Sequence, residues 1–176
     1  MRVSETTETA LASSLTEAGP LILQAFAWDM VADASHWRYL AEHAQAIADL
    51  GVTVIWLPPA YKGHEGINDV GYGVYDLYDL GEFDQRGSVP TKYGTKDEYL
   101  AAIEALHEAG IAVCADIVLN HRMGGDGTEV VRATPVGPPD RTRPHGETEE
   151  ITAWSRSTFQ GRAGSSPDFT RAWTCL

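Results

Sequence analysis

The sequence predicts an α/β fold in which short buried strands alternate with amphipathic helices. Three observations carry that expectation. Apolar, β-branched runs recur at residues 21–26, 52–57 and 111–119, without the polar alternation of a half-solvated strand. Two stretches between them carry apolar residues at three- and four-residue spacing, the stripe of an amphipathic helix. A glycine, Gly51 or Gly110, stands at the end of each helical stretch just before the next run. Strands of this kind belong to parallel sheets joined by right-handed helical crossovers. Periodicity alone leaves an open doubly wound sheet and a closed barrel equally available.

Each element has its own justification. Residues 1–19 are mostly Thr, Ser, Glu and Ala with few large apolar groups, and read as a disordered leader. Gly19-Pro20 precedes the first strand, and Ser35 is placed to cap a helix bearing Trp37, Leu40, Ala41, Ala44, Ile47 and Ala48. The second strand stops at Pro58-Pro59. From Pro58 to Thr95 the chain shows no helical stripe, far beyond the usual connection of about two to six residues. The four tyrosines from Tyr61 to Tyr78 (Tyr61, Tyr72, Tyr75 and Tyr78) make it too aromatic for disorder. Thr95 and Glu98 form a capping box for a helix through Leu100, Ile103 and Leu106. The third strand is apolar until Asp116. After His121 the chain turns Gly-, Pro- and Arg-rich, with two short strands near residues 128–134 and 149–159, an inserted and mostly β excursion.

Composition narrows the function. The 176 residues are 43% hydrophobic and carry 13 basic against 25 acidic side chains, a net charge of -12. That sign repels phosphate backbones and anionic lipid, so neither nucleic acid nor a membrane surface is an expected partner. No stretch reaches the roughly eighteen apolar residues of a membrane span. The N-terminus lacks the apolar run of a secretory signal, which points to the cytoplasm and to reduced Cys114 and Cys175. No cysteine pair, zinc-binding histidine pair, phosphate loop or nucleophile elbow is present.

Two groups of residues carry chemistry. Residues 68–79 mix aromatic rings with carboxylates and glycines. Rings stack on the apolar faces of sugars and carboxylates accept hydroxyl hydrogen bonds, so a carbohydrate site would use them. An aromatic loop packed on its own scaffold would use them equally. Asp116, Asn120 and His121 close the third strand, where α/β folds place their ligands. Asn offers a neutral oxygen suited to calcium and His can donate to a hydroxyl; a structural strand-end bond and a loop cap are the competing roles.

The segment Asp116-Ile117-Val118-Leu119-Asn120-His121 resembles the first signature of the alpha-amylase family of glycoside hydrolases, family thirteen. Phe26-Ala27-Trp28, residues 56–63, 69–83 and 91–96 are similar to its liquefying bacterial and cytoplasmic branch, in order and across nearly the whole chain. The resemblance implies the N-terminal part, about three βα units, of a (β/α)8 TIM barrel, followed by the start of an inserted B domain. Residues 1–19 would then be leader, 20–120 barrel and 121–176 an incomplete B domain.

It implies that Tyr72 stacks on the sugar beside the scissile bond, that His121 contacts the same sugar and that Trp28 lines the cleft floor. Asn120 would be a calcium ligand and Asp116 a supporting carboxylate. The family cleaves internal α-1,4 bonds of starch-like glucans with retention, using three carboxylates on strands four, five and seven. No acidic residue of this sequence corresponds to any of the three, so no catalytic residue is assigned. A truncated amylase, inactive alone and binding calcium weakly, is the expectation. A non-catalytic relic or glucan-binding piece is the alternative, as is one half of a split enzyme completed by a C-terminal chain.

Overall fold

The computed structural model describes residues 19–138 and 140–162. The leader expected at 1–19 and the end of the region expected as 121–176 fall largely outside them. Three parallel strands make the central sheet: β1 (Ile22–Gln24), β2 (Val54–Leu57) and β5 (Ala112–Ala115), in the spatial order β1-β2-β5. Ile22 pairs with Val54 and Val54 with Ala112, so the register runs straight across all three. Helix α1 (His36–Asp49) links the first two strands, and α2 (Lys96–Glu108) precedes the third.

Both helices cover the same face of the sheet. Trp37, Leu40, Ala44 and Ile47 of α1 pack with Tyr99, Ala102 and Leu106 of α2 over Ile55 and Leu57 of β2. The opposite face is open: Ile22 is 57% exposed, and Trp56 and Cys114 are exposed with it. Strands in sequential order with every crossover on one side form a singly wound wall, whereas a doubly wound sheet carries helices on both faces. The described sheet is therefore a partial TIM barrel, and the expectation of strands covered on both faces gives way to one-sided cover.

Local chemistry explains the helix ends. Thr95 accepts from the Glu98 amide at 3.4 Å while the Glu98 carboxylate accepts from the Thr95 amide at 2.8 Å, completing the capping box. Ser35 occupies the N-cap position of α1 but does not cap it; its hydroxyl donates to Asp33 at 2.6 Å. A tertiary contact serves instead, the Trp37 amide donating to the Tyr93 carbonyl at 2.9 Å. Gly51 closes α1 at φ +86° with open space where a side chain would sit, so backbone conformation alone selects glycine there.

The third strand ends earlier than its apolar run suggests. Beyond Ala115 the backbone leaves the sheet, exposing Ile117 and Leu119, while Val118 turns inward against Tyr61 and Val74. The Val118 amide donates to the Tyr61 hydroxyl at 2.7 Å, a side-chain bond that replaces the ladder.

The long connection folds around two short antiparallel strands, β3 (Lys62–Gly63) and β4 (Val74–Asp76). The excursion after His121 is a ribbon of β6 (Gly127–Ala133) against β9 (Glu149–Arg156), matching the two strands read from sequence. Between them lies a hairpin the sequence did not announce, β7 (Val136–Gly137) with β8 (Asp140–Pro144), fully exposed along β8 and built largely of charged residues and proline. Among the described residues no helix is long and apolar enough to cross a membrane.

Candidate functional site

The open face of the sheet and the carboxyl ends of its strands carry the candidate site. Asp116 follows β5 directly, and its amide donates to the Leu57 carbonyl at 3.2 Å, which fixes it beside the end of β2. Its Oδ2 accepts from the Tyr72 hydroxyl at 2.7 Å and from the Trp56 indole N–H at 3.2 Å. Trp56 points to the open face because strand alternation sends Ile55 and Leu57 to the helices. Phe26 meets the edge of Trp56, ring centroids 5.5 Å apart.

Tyr72 joins the remaining parts. Its ring lies parallel to Trp28, 6.0 Å between centroids and 5° between planes, and Trp28 is 67% exposed. His121 Nε2 stands 2.9 Å from the Tyr72 carbonyl. A carbonyl only accepts, so Nε2 bears the proton and Nδ1 is the acceptor of the neutral ring. Burial raises the Tyr72 hydroxyl to about 12, aided by its bond to Asp116 and that group's charge. The phenol therefore stays protonated near neutral pH and keeps donating.

Trp28, Tyr72, Asp116 and His121, named from sequence, thus meet in one place. Asn120 lies exposed immediately before His121. Trp56 and Phe26 are support residues the sequence reading did not single out. The signal was present: a tryptophan at the alternate position of a strand whose other side chains seek the core.

The carboxylates of the aromatic connection have other work. Asp69 accepts from the amides of Gly71 at 2.8 Å and Gly73 at 3.1 Å. A Cβ on Gly63 would lie 2.1 Å from the Asp69 carboxyl carbon, so the loop can close around this aspartate only with glycine there. Asp79 accepts from the amides of Gly81 and Glu82 and lies 3.6 Å from the buried Lys62 ammonium. Lys62 also donates to the carbonyls of Ser88 and Val89 at 2.6 and 2.7 Å. Burial pushes its ammonium below its ordinary range while Asp79 opposes that shift. Asp76 is held by Gln85 at 2.9 Å and by Arg162. All three carboxylates are buried and occupied by donors.

Calcium needs about six to eight oxygen ligands. Asn120 supplies one such oxygen, and among the described residues no three His, Cys, Asp or Glu side chains converge to hold a metal.

Similarity to known proteins agrees with this geometry. The family model described as the alpha amylase catalytic domain matches residues 26–132. An alpha-amylase of Geobacillus stearothermophilus is 49% identical over 152 residues, 86% of this chain and 28% of that protein. The cytoplasmic alpha-amylase of Escherichia coli K12 is 48% identical over 157 residues, 89% of this chain and 32% of its own length. The crystal structure of truncated alternansucrase from Leuconostoc mesenteroides superposes with a TM-score of 0.66 at 29% identity, covering 79% of this chain and 13% of that one. The chain therefore spans about three tenths of the length of these curated relatives. With its partial barrel wall and a family match over more than half its residues, the chain belongs to the alpha-amylase family, of which it represents an N-terminal portion.

Proposed function

We propose that this chain forms the sugar-binding wall of an alpha-amylase acting on internal α-1,4 bonds of starch-like glucans, and that alone it binds glucan without cleaving it. The Trp28–Tyr72 stack, braced by Asp116 beneath and His121 beside it, is the observation that carries the reading. Two near-parallel rings offer apolar surface to a pyranose face. The Tyr72 hydroxyl is engaged by Asp116, which orients the ring, and His121 faces sugar hydroxyls with Nδ1 as acceptor.

Retaining hydrolysis needs a nucleophilic carboxylate and a proton-donating carboxyl about 5 Å apart. Asp116 is the carboxylate at this site, and two donors occupy one of its oxygens. It positions Tyr72 and Trp56. Titration of the chain with maltoheptaose in a calorimeter tests the reading, with reducing ends assayed in parallel. Saturable binding that weakens at least about fivefold in Tyr72→Ala is expected, the loss of roughly one stacking contact. Absence of binding in the folded chain contradicts it.

The same reading assigns residues 20–120 to the barrel and 121–176 to a B domain, with a cytoplasmic location like that of the Escherichia coli relative. Calcium binds this chain weakly on that reading, Asn120 being the family-matched ligand; micromolar affinity by calorimetry would contradict it. A second reading, completion by a C-terminal chain carrying further strands, is favoured by the open apolar face at Ile22 and Trp56. Activity restored on mixing with such a chain would support it.

A further inference from the structure

We propose that Asp126 is a positioning residue that clamps the excursion onto β4 and thereby sets where His121 stands against Tyr72, without a metal ion. Its Oδ2 accepts from the Tyr75 hydroxyl at 2.9 Å, the Thr158 amide at 2.8 Å and the Thr158 hydroxyl at 3.0 Å. Its Oδ1 lies 3.3 Å from Arg86 Nη2. One carboxylate therefore ties together four chain segments: β4, the Arg86 turn, the outgoing arm of the excursion and its return.

The neighbouring contacts repeat the pattern residue by residue along β4. The Val74 carbonyl accepts from the Met123 amide at 2.6 Å. Arg122 Nη2 donates to the Tyr75 carbonyl at 2.7 Å and to the Ser157 hydroxyl at 2.8 Å. Asp76 accepts from Arg162. Both guanidinium groups lie over the Phe159 ring, Arg122 at 4.8 Å and Arg162 at 4.7 Å from its centroid. Arg86 lies 3.9 Å over the Tyr75 ring, donates to the Gly124 carbonyl and holds a left-handed backbone at φ +54°, a conformation its side-chain contacts must sustain.

Tyr72 stands two residues before β4, and His121 one residue before Arg122. Fastening Met123, Arg122 and Asp126 to β4 therefore fixes the register between the two sugar-facing residues. Asp126 is suited to the centre of this arrangement. Burial pushes its carboxyl up, but the Thr158 and Tyr75 donors and the Arg86 charge outweigh that and hold it below the ordinary carboxylate range.

Hydrogen exchange of the full chain, read at the Thr158 and Met123 amides, tests the clamp independently of any sugar. Protection equal in excess EDTA and in millimolar calcium is expected. Asp126→Ala should lose about tenfold or more at Thr158, and Asp126→Asn less, because its amide oxygen still accepts. Lys96→Ala, which breaks a surface pair with Glu82, should change neither amide. If Asp126→Ala also deprotects the core amides of Ile55 and Leu106, Tyr75→Phe decides instead, with a loss of about two- to fivefold confined to the junction.

Deprotection of Thr158 by EDTA alone overturns the proposal, as does wild-type protection in the variant that keeps its core. Weaker maltoheptaose binding in Asp126→Ala is expected in addition. That arm rests on the proposed glucan site: a wild-type chain that binds no maltoheptaose removes the sugar reading and leaves exchange to decide the clamp.

Discussion

The two faces of the three-stranded sheet divide the labour of the molecule. On one, Ile55 and Leu57 disappear beneath α1 and α2 in a core that includes Trp37, Tyr99 and Leu106. On the other, one residue away along the same strand, Trp56 stands exposed and spends its indole N–H on Asp116. Strand alternation converts neighbouring residues into opposite roles. The helical face supplies cohesion through apolar burial, whereas the open face places aromatic rings and one carboxylate where a ligand can reach them. Substitutions should therefore separate cleanly: changes on the covered face reduce stability, and changes on the open face reduce binding.

The largest stability effect is expected from Trp37→Ala, which empties the centre of the covered face. A loss of about 3–5 kcal/mol is expected, measured by urea unfolding. A loss below about 1 kcal/mol would show that α1 does not hold the sheet.

Asp79→Asn should follow closely, at about 3 kcal/mol in the same assay, because it leaves the Lys62 ammonium buried without its carboxylate. Near-neutral stability in Asp79→Asn would mean that the carbonyls of Ser88 and Val89 alone satisfy Lys62.

Alkaline pH offers a third separation. Burial holds the hydroxyls of Tyr61, Tyr72 and Tyr75 up at about 12. An unfolded tyrosine ionises near pH 10. A raised folded value means stability that is complete below about pH 10 and lost as pH climbs toward about 12. The melting temperature should fall through this window, and less steeply in Tyr61→Phe, which removes one such group. Equal slopes would contradict the assignment.

The smallest effect on stability belongs to Trp56→Phe on the open face. Losing one hydrogen bond to Asp116 should cost about 1 kcal/mol or less in unfolding. Affinity for maltoheptaose should drop a few fold as Asp116, which holds Tyr72, loses one of its two donors. An effect confined to stability would place Trp56 with the core instead.

Much of this division was legible in sequence because it follows short-range rules. The capping box at Thr95 and Glu98, the glycine after α1 and the apolar runs of β2 and β5 all express local chemistry. The meeting of Tyr72 with Asp116 and His121, 44 and 49 residues apart, came instead from the family resemblance. Other features depend on partners far along the chain. Ser35 yields its capping role because Tyr93 reaches the start of α1. Strand β5 ends at Ala115 because Tyr61, distant in sequence, offers its hydroxyl to Val118. The carboxylates of the aromatic connection look equally available in the sequence. Only folding shows Asp69, Asp76 and Asp79 turned inward onto amides, Gln85, Lys62 and Arg162. Asp126 is unremarkable in sequence for the same reason, since its partners come from three other segments.

The most direct test of the Trp28–Tyr72 stack as a glucan-binding site combines two readings on one sample of the purified chain. Maltoheptaose binding is measured by calorimetry, and reducing ends are counted over the same incubation, for wild type and for Trp28→Ala, Tyr72→Ala, Asp116→Asn and Trp37→Phe. The expected result is saturable binding with no reducing ends above the buffer blank, weakened by the Trp28 and Tyr72 variants and unchanged by Trp37→Phe. Binding that ignores Trp28 and Tyr72, or turnover that persists through purification and falls in Asp116→Asn, would contradict it.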